Sequence, residues 1–187
     1  MDANKITLAE QLGTLPHISG LRHKARRLGL PTLDDLANEA VARGCYHYAP
    51  RFDHGIMSRA SERDLTNCEL AIALLTTANR GDPQIVRIGA MLVGAEGNDP
   101  RELARLAVWE RCECVVRYIA RCGLRYEPES WFWHDLLAAL PPGSLPKEGA
   151  MPHHTRFVSD PGLIAPGTFG KPTWLRPIAP RAASHAA

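Results

Sequence analysis

The chain has 187 residues, of which 45% are apolar and 22% charged, and its formal net charge is +2. These ordinary globular values exclude wholesale disorder, and so small a net charge gives no general electrostatic case for nucleic-acid binding.

The odd number of cysteines, five, argues against a disulfide framework. Apolar runs such as Leu70 to Leu75 are far shorter than the roughly 20 residues of a membrane helix, and no basic-then-apolar leader is present. We therefore expect a cytoplasmic protein without a membrane partner.

The N-terminal third predicts three short helices. The first covers Thr7 to Leu12, and the second covers Gly20 to Leu28 with Leu21, Ala25 and Leu28 on its apolar side. A third runs from the capping residue Thr32 to Gly44. The polar side of the second helix is basic, which is typical of a solvated face or of one that meets an acidic neighbour, and is less often a phosphate-binding face. Its candidate binding residues are Arg22, Lys24, Arg26 and Arg27.

Residues 45–57, CYHYAPRFDHGIM, have no helical period and concentrate polar side chains that can bind or react. One interpretation is a metal site, although the spacing matches no standard ligand pattern. A second is a histidine acid–base group oriented by the neighbouring aspartate, and a third, which we favour, is an ordered connector whose aromatic side chains pack on the helices. The candidate residues here are His47, Arg51, Asp53 and His54.

Two strongly apolar helices are predicted to form the centre of the domain. Thr66 and Glu69 have the spacing of a capping box that opens the first, and Asp82 followed by Pro83 opens the second. Gly89 lies within the second helix, where glycine costs about 1 kcal/mol relative to alanine. We expect it to permit a close helix crossing.

A single long helix is predicted from Asp99 to Cys122, ended by Gly123. Its apolar side chains cover more than half of its circumference, so we expect neighbours on two sides and a wet edge that includes Arg117. Arg111 projects into the apolar arc. A buried guanidinium needs a partner, so we expect a salt bridge to Asp135 or Glu69, with a ligand-binding or partner-binding role as the alternative.

Pro128 opens the last predicted helix, and Pro141-Pro142 ends it. Trp131 lies off its apolar face, and a large aromatic side chain in such a position usually has a covering partner. Residues 141–187 contain nine prolines and five glycines, a density that excludes a continuous helix. They also contain aromatic residues that pure linkers lack, which predicts an extended arm docked in part on the domain, over Trp131, or on a partner.

Several catalytic and metal-binding motifs are absent from the sequence, among them phosphate-binding glycine loops, the G-x-S-x-G elbow and C-x-x-C pairs. Cys112 and Cys114 are two positions apart, so on a regular helix they face opposite ways and cannot share an ion. We interpret both as packing residues. His153 and His154 would need ligands from elsewhere to bind a metal. No cofactor is expected.

The sequence thus predicts an all-α fold, a compact antiparallel bundle or short α-solenoid of six or seven helices, with a Pro/Gly-rich irregular C-terminal arm. Residues 1–140 form the helical domain, divided into basic N-terminal helices and connector (1–60) and an apolar core (61–140), and 141–187 form the arm. The favoured function is a non-catalytic protein-interaction or adaptor module. The alternatives are nucleic-acid association through the basic face at 22–27, and a small enzyme or metal protein centred on His47, Asp53 and His54.

Overall fold

The computed structural model describes residues 19–47, 64–76, 82–159, 163–165 and 168–178, and in these segments the fold is all-α, as the sequence predicts. The α-helices of the described segments are α1 (Gly20–Arg27), α2 (Leu33–Ala42), α3 (Asn67–Leu75), α4 (Pro83–Val93), α5 (Pro100–Trp109), α6 (Glu113–Tyr126) and α7 (Trp131–Ala139). A short 3-10 helix (His154–Phe157) and four short strands follow, β1 (Val158–Ser159), β2 (Leu163–Ala165), β3 (Thr168–Phe169) and β4 (Thr173–Trp174). The predicted helix at Thr7 to Leu12 lies outside the described residues.

The helices begin where the capping residues of the sequence predict. Thr32 and Thr66 each accept a hydrogen bond from the backbone N–H three residues later, and the acidic side chain at that position accepts one in return. These reciprocal bonds satisfy amides that the first turn of a helix leaves unpaired. Asp82 and Asp99 cap α4 and α5 and are each followed by proline.

The centre of the domain is α3, packed against α4. All six residues of α3 from Leu70 to Leu75 are 0% exposed, which matches the prediction of a helix that is apolar nearly all round. A Cβ added to Gly89 of α4 would lie 2.8 Å from Cδ2 of Leu75 and 3.4 Å from the carbonyl oxygen of Ala71. Gly89 therefore permits the close crossing of these two helices, as expected.

The single helix predicted from Asp99 to Cys122 is wrong, because the chain turns sharply at Arg111. The N–H of Cys112 donates to the carbonyl of Ala107 (2.9 Å) and the N–H of Arg111 to that of Val108 (3.2 Å). This is the hydrogen-bond pattern of a Schellman motif, and Arg111 adopts the left-handed φ of 56° that the motif requires. Glycine fills that position in the equivalent motifs after α1 and α2, at Gly29 and Gly44.

The predicted burial and salt bridge of Arg111 are also wrong, since its side chain is exposed and not buried among apolar residues. Its alternative role in binding a ligand or partner stays a prediction. Both proposed partners have other ion pairs: Glu69 with Lys24 (2.7 Å) and Asp135 with Arg101 (3.6 Å). Arg111 thus has a backbone role, because it ends α5 and lets the chain reverse into α6.

Two further residues of this region behave differently from the prediction. Arg117 was expected on the wet edge but is 6% exposed, and its guanidinium donates to the carbonyl oxygens of Ser144 (3.0 Å) and Pro141. Gly123 does not end a helix, because α6 continues to Tyr126. Its missing side chain instead makes room for the indole of Trp133.

The C-terminal arm contributes to the core through two aromatic residues. Phe157 and Trp174 are 2% and 3% exposed, and β1 pairs antiparallel with β4 so that the residue after Phe157, Val158, lies opposite Trp174. The Trp174 ring packs against the edge of Trp133 with centroids 4.9 Å apart. The arm therefore docks over Trp133, and the predicted docking over Trp131 is wrong, because Trp131 is 70% exposed.

The far end of the described arm reaches α2. The N–H of Ile178 donates to the carbonyl of Gly44 (3.0 Å), and a Cβ on Gly44 would overlap the carbonyl of Ile178. Within the described segments, none of the helices combines the length and the apolar composition that crossing a bilayer requires.

Candidate functional site

The basic side of α1 is partly used for packing. The ammonium of Lys24 lies 2.7 Å from both carboxylate oxygens of Glu69, the acidic member of the α3 capping box. Arg22 is half-buried, and its pKa is lowered by that burial and then by repulsion from the nearby Arg26. Arg26 and Arg27 are exposed. The ion pair joins α1 to α3, so one of the four predicted cations already has an acidic neighbour.

The aromatic connector is described only at its start. Cys45 is completely buried, while Tyr46 and His47 are exposed in a short turn. Arg51, Asp53 and His54 lie outside the described residues. The structure therefore leaves the metal-site and acid–base interpretations of this stretch as predictions.

Trp131 is the exposed aromatic side chain of α7, next to two residues that pack inward. Phe132 is half-buried, and Trp133 is 0% exposed with its Nε1 donating to Glu127 (2.8 Å). The ring of Trp131 touches the ring of Phe132 edge-on, at 6.2 Å between centroids. Trp131 thus lies off the apolar face, as predicted, and is uncovered by any described segment.

Trp131 lines an open groove of about 700 Å³ where α5 and α7 begin. One wall is the turn before α5, with Glu96 and Asp99, and the other is the start of α7, with Trp131, Phe132 and Asp135. Arg176 of the arm also lines it, but its guanidinium donates two hydrogen bonds of 2.6 Å to Glu127. Since that pair neutralises Arg176, this end of the surface is acidic.

A second groove, of about 590 Å³, continues from Asp135 between the outer sides of α5 and α7. Its apolar floor comes from small side chains and from Val108, which is 45% exposed. Asp135 lines both grooves, so they form one surface, here called the α5–α7 face. The residues lining the second groove are Arg101, Ala104, Arg105, Val108, Asp135, Ala138 and Ala139.

The two helices run in the same direction along this face. The starts of both α5 and α7 line the first groove, and later residues of both line the second. Along α5 the residues of the face are at positions 101, 104, 105 and 108, and along α7 they are at positions 131, 135, 138 and 139. Residues three or four positions apart lie on the same side of a helix, so each set forms one stripe. The larger apolar side chains of the two stripes are accessible, since Val108 is 45% and Trp131 70% exposed, whereas Ala104 on the floor between the helices is buried.

The sequence places Trp131 off the apolar face of its helix, but it does not identify the residues of α5 that lie beside it. Arg101, Arg105 and Val108 were interpreted as parts of one long helix with neighbours on two sides, because nothing in the sequence marks the turn at Arg111. Asp135 was considered only as a partner for Arg111. The sequence does contain the helical spacing of both stripes. That spacing predicts a shared surface only once α5 and α7 are known to be adjacent.

The cysteines and the Tyr126–His154 pair are further groups in the described part of the chain that could take part in chemistry. Cys45, Cys68 and Cys112 are buried in apolar surroundings that raise the pKa of each thiol, to about 12 for Cys45 and Cys68. Tyr126 and His154 share a hydrogen bond of 2.6 Å that ties the arm to α6. Among the residues that the structure describes, no three His, Cys, Asp or Glu side chains are placed to hold one ion.

No known protein family, curated protein or solved structure is detectably similar to this chain.

Proposed function

We propose that this protein is a non-catalytic helical module that binds another polypeptide through the α5–α7 face. The observation that carries the proposal is Trp131, which is 70% exposed beside a groove of about 700 Å³ while its neighbour Trp133 is completely buried. Tryptophan side chains supply a disproportionate share of the binding energy in protein interfaces. A single exposed apolar residue is unremarkable, but here Trp131 lies on a face with Val108 and small alanine side chains.

The shape of the face fits a polypeptide better than a small molecule. Pockets for small ligands enclose most of the ligand, whereas both grooves are open and run side by side along two helices. The alanines at 104, 138 and 139 have small side chains, so they leave a groove between α5 and α7. Side chains of another polypeptide can pack into that groove.

The nucleic-acid alternative has weaker support. Lys24 is engaged by Glu69, which leaves Arg22, Arg26 and Arg27 as the cations of α1, and Arg22 is half-buried. Stable phosphate binding generally uses several free cations along the backbone.

The proposal is tested by photocrosslinking in the cell that makes the protein. A photoreactive phenylalanine analogue replaces Ala138, an exposed residue on the face, and in a control it replaces Arg27, which is exposed on α1. We expect a protein adduct from position 138 that is absent from position 27 and is lost when Trp131→Ala is added.

The crosslinked polypeptide is identified by mass spectrometry, purified and mixed with the unlabelled protein. Binding should weaken more than about tenfold on Trp131→Ala, as expected of a central interface aromatic. No adduct at position 138, or one that Trp131→Ala leaves unchanged, would refute the proposed function.

A further inference from the structure

We infer that the α5–α7 face binds a second copy of this chain, so that the protein forms a two-fold symmetric dimer. This inference rests on the proposed function and names the partner for the same surface. Its basis is the separation of opposite charges to the two ends of the face, with an apolar side chain exposed at each end.

One end of the face is acidic. Glu96 and Asp99 are both exposed there, beside Trp131. Among the described residues that line this groove, Arg176 is the one base. It donates two hydrogen bonds to Glu127, and its pKa is raised by these bonds and also by the nearby Glu96, so one guanidinium is set against three carboxylates. An approaching chain therefore meets two carboxylates and an exposed indole.

The other end is basic. Arg105 is exposed in the penultimate turn of α5, next to Val108, which is 45% exposed. At the middle of the face Asp135 lies 3.6 Å from Arg101, so the centre is neutral. The order along the face is thus acidic, neutral and basic.

A two-fold axis through the centre of such a face places each end opposite the other end of the second copy. Two-fold interfaces bring the same surface of both subunits together, so that a contact from residue i to residue j occurs twice. Glu96 and Asp99 of one copy then meet Arg105 of the partner subunit, and the symmetric contact forms at the other end. In this antiparallel arrangement α5 faces α5 of the second copy and α7 faces α7. Trp131 therefore lies against the small side chains at the end of the second copy's α7, Ala138 of the partner subunit and Ala139 of the partner subunit.

The charges also decide the orientation of the second copy. A parallel arrangement would place the two acidic ends together and the two basic ends together, and like charges across an interface oppose association. Antiparallel packing of the two faces is the arrangement that the charges favour. Because each stripe extends over only about 15 Å of helix, the interface is small and the dimer should dissociate on dilution.

The test measures the mass of the purified full chain by sedimentation equilibrium from about 1 µM to about 1 mM at low salt. The monomer mass is 20.6 kDa, and we expect the average mass to rise towards twice that value with concentration. Trp131→Ala should weaken the dimer more than about tenfold. Arg105→Glu and Glu96→Lys should each weaken it about fivefold, because each replaced contact occurs twice.

Mixing the two charge variants tests the symmetry directly. Alone, Arg105→Glu brings acid against acid at both ends, and Glu96→Lys brings base against base. In the mixed pair, Lys at 96 faces Glu at 105 at one end and the native residues meet at the other, so the mixture should dimerise more strongly than either variant alone. Both substituted residues are exposed, and circular dichroism of each variant checks that the fold is unchanged.

The inference is overturned if the protein remains at 20.6 kDa up to about 1 mM, and equally if a dimer forms that these substitutions do not weaken or if the mixture shows no recovery. A monomeric protein that still gives an adduct with a different protein at position 138 would refute the second copy while supporting the proposed function. Loss of that adduct as well would refute both.

Discussion

Replacing Gly123 with alanine should destabilise the protein, although the same change stabilises an ordinary helix. Gly123 lies inside α6, where a glycine costs about 1 kcal/mol relative to alanine. In this fold an added Cβ would lie 2.5 Å from Cδ2 and 2.9 Å from Cζ2 of Trp133. Real Cβ atoms do not approach another atom so closely, so either the indole or the helix must move.

The indole is poorly able to move. Trp133 is 0% exposed, its Nε1 donates to Glu127 at 2.8 Å, and its ring packs against Trp174. Overpacking a well-filled core typically costs about 1–3 kcal/mol, and occasionally more. Because the ring is rigid, we take the upper end of this range, about 3 kcal/mol. Subtracting the helix-propensity gain of about 1 kcal/mol gives an expected net decrease of about 2 kcal/mol in the free energy of unfolding.

Urea unfolding followed by far-ultraviolet circular dichroism measures this loss, and an unchanged slope confirms a pure stability effect. Gly20→Ala is the matched control, because Gly20 is also helical but a Cβ there would lie 3.5 Å from the nearest atom. We expect the control to leave the free energy of unfolding unchanged or to raise it by up to about 1 kcal/mol, because the propensity gain there is not offset by overlap.

A double-mutant cycle separates overlap with the ring from other causes. In a Trp133→Leu background the flat ring is gone, so Gly123→Ala should cost clearly less than in the native protein. If Gly123→Ala leaves the native protein as stable as before, or if its cost is the same in both backgrounds, then the close approach of Gly123 to Trp133 does not constrain the fold and this reasoning is wrong.

Three further predictions concern charged and reactive groups. Burial alone would raise the pKa of Glu127, but hydrogen bonds from Arg176 and Trp133 hold it below its usual value. The ionised carboxylate therefore stabilises the protein above the unfolded-state pKa of about 4.3, and this stability is lost as the pH falls through the folded-state pKa. Melting temperatures measured between about pH 3 and 7 should accordingly depend less on pH in Glu127→Gln than in the native protein. Arg117→Met should lower the free energy of unfolding, measured in urea, by about 2 kcal/mol, because it removes charge-assisted hydrogen bonds to the carbonyls after α7. A decrease below about 0.5 kcal/mol would contradict the buried role of this guanidinium. A disulfide reagent at pH 8 should react quickly only with Cys114 in the folded protein, because the other four cysteines are buried. After unfolding it should react with all five. Rapid reaction of two or more thiols in the folded protein would show that the buried cysteines are accessible.

The fold could be predicted largely because its signals are local. Thr32 and Thr66 carry acidic residues three positions later, and Asp82 and Asp99 are followed by proline, so each of these four helix starts is specified by adjacent residues. The apolar composition of 70–75 predicts burial on all sides. Gly44 marks the end of α2, since glycine adopts positive φ without strain.

The turn at Arg111 could not be predicted in this way. An arginine at φ 56° occupies a position where glycine is usual, and the neighbouring residues have acceptable helix propensities. The Schellman bonds and the buried carboxylate of Glu110, which accepts from the N–H of Leu21 at 2.8 Å, stabilise the turn. The contact with Leu21 joins residues 89 positions apart, so local sequence carries no record of it.

The sequence by itself determined the class of fold, most helix boundaries and which helices are buried, because capping and apolar periodicity act within a few residues. The tertiary structure alone decided that α5 and α7 lie side by side, that the arm covers Trp133 and not Trp131, and that Arg117 is buried while Arg111 is exposed. Each of these depends on which surfaces pack together, and many pairings of apolar faces satisfy the same one-dimensional pattern. The α5–α7 face belongs to this second group, since its residues come from two helices that meet only in the folded chain.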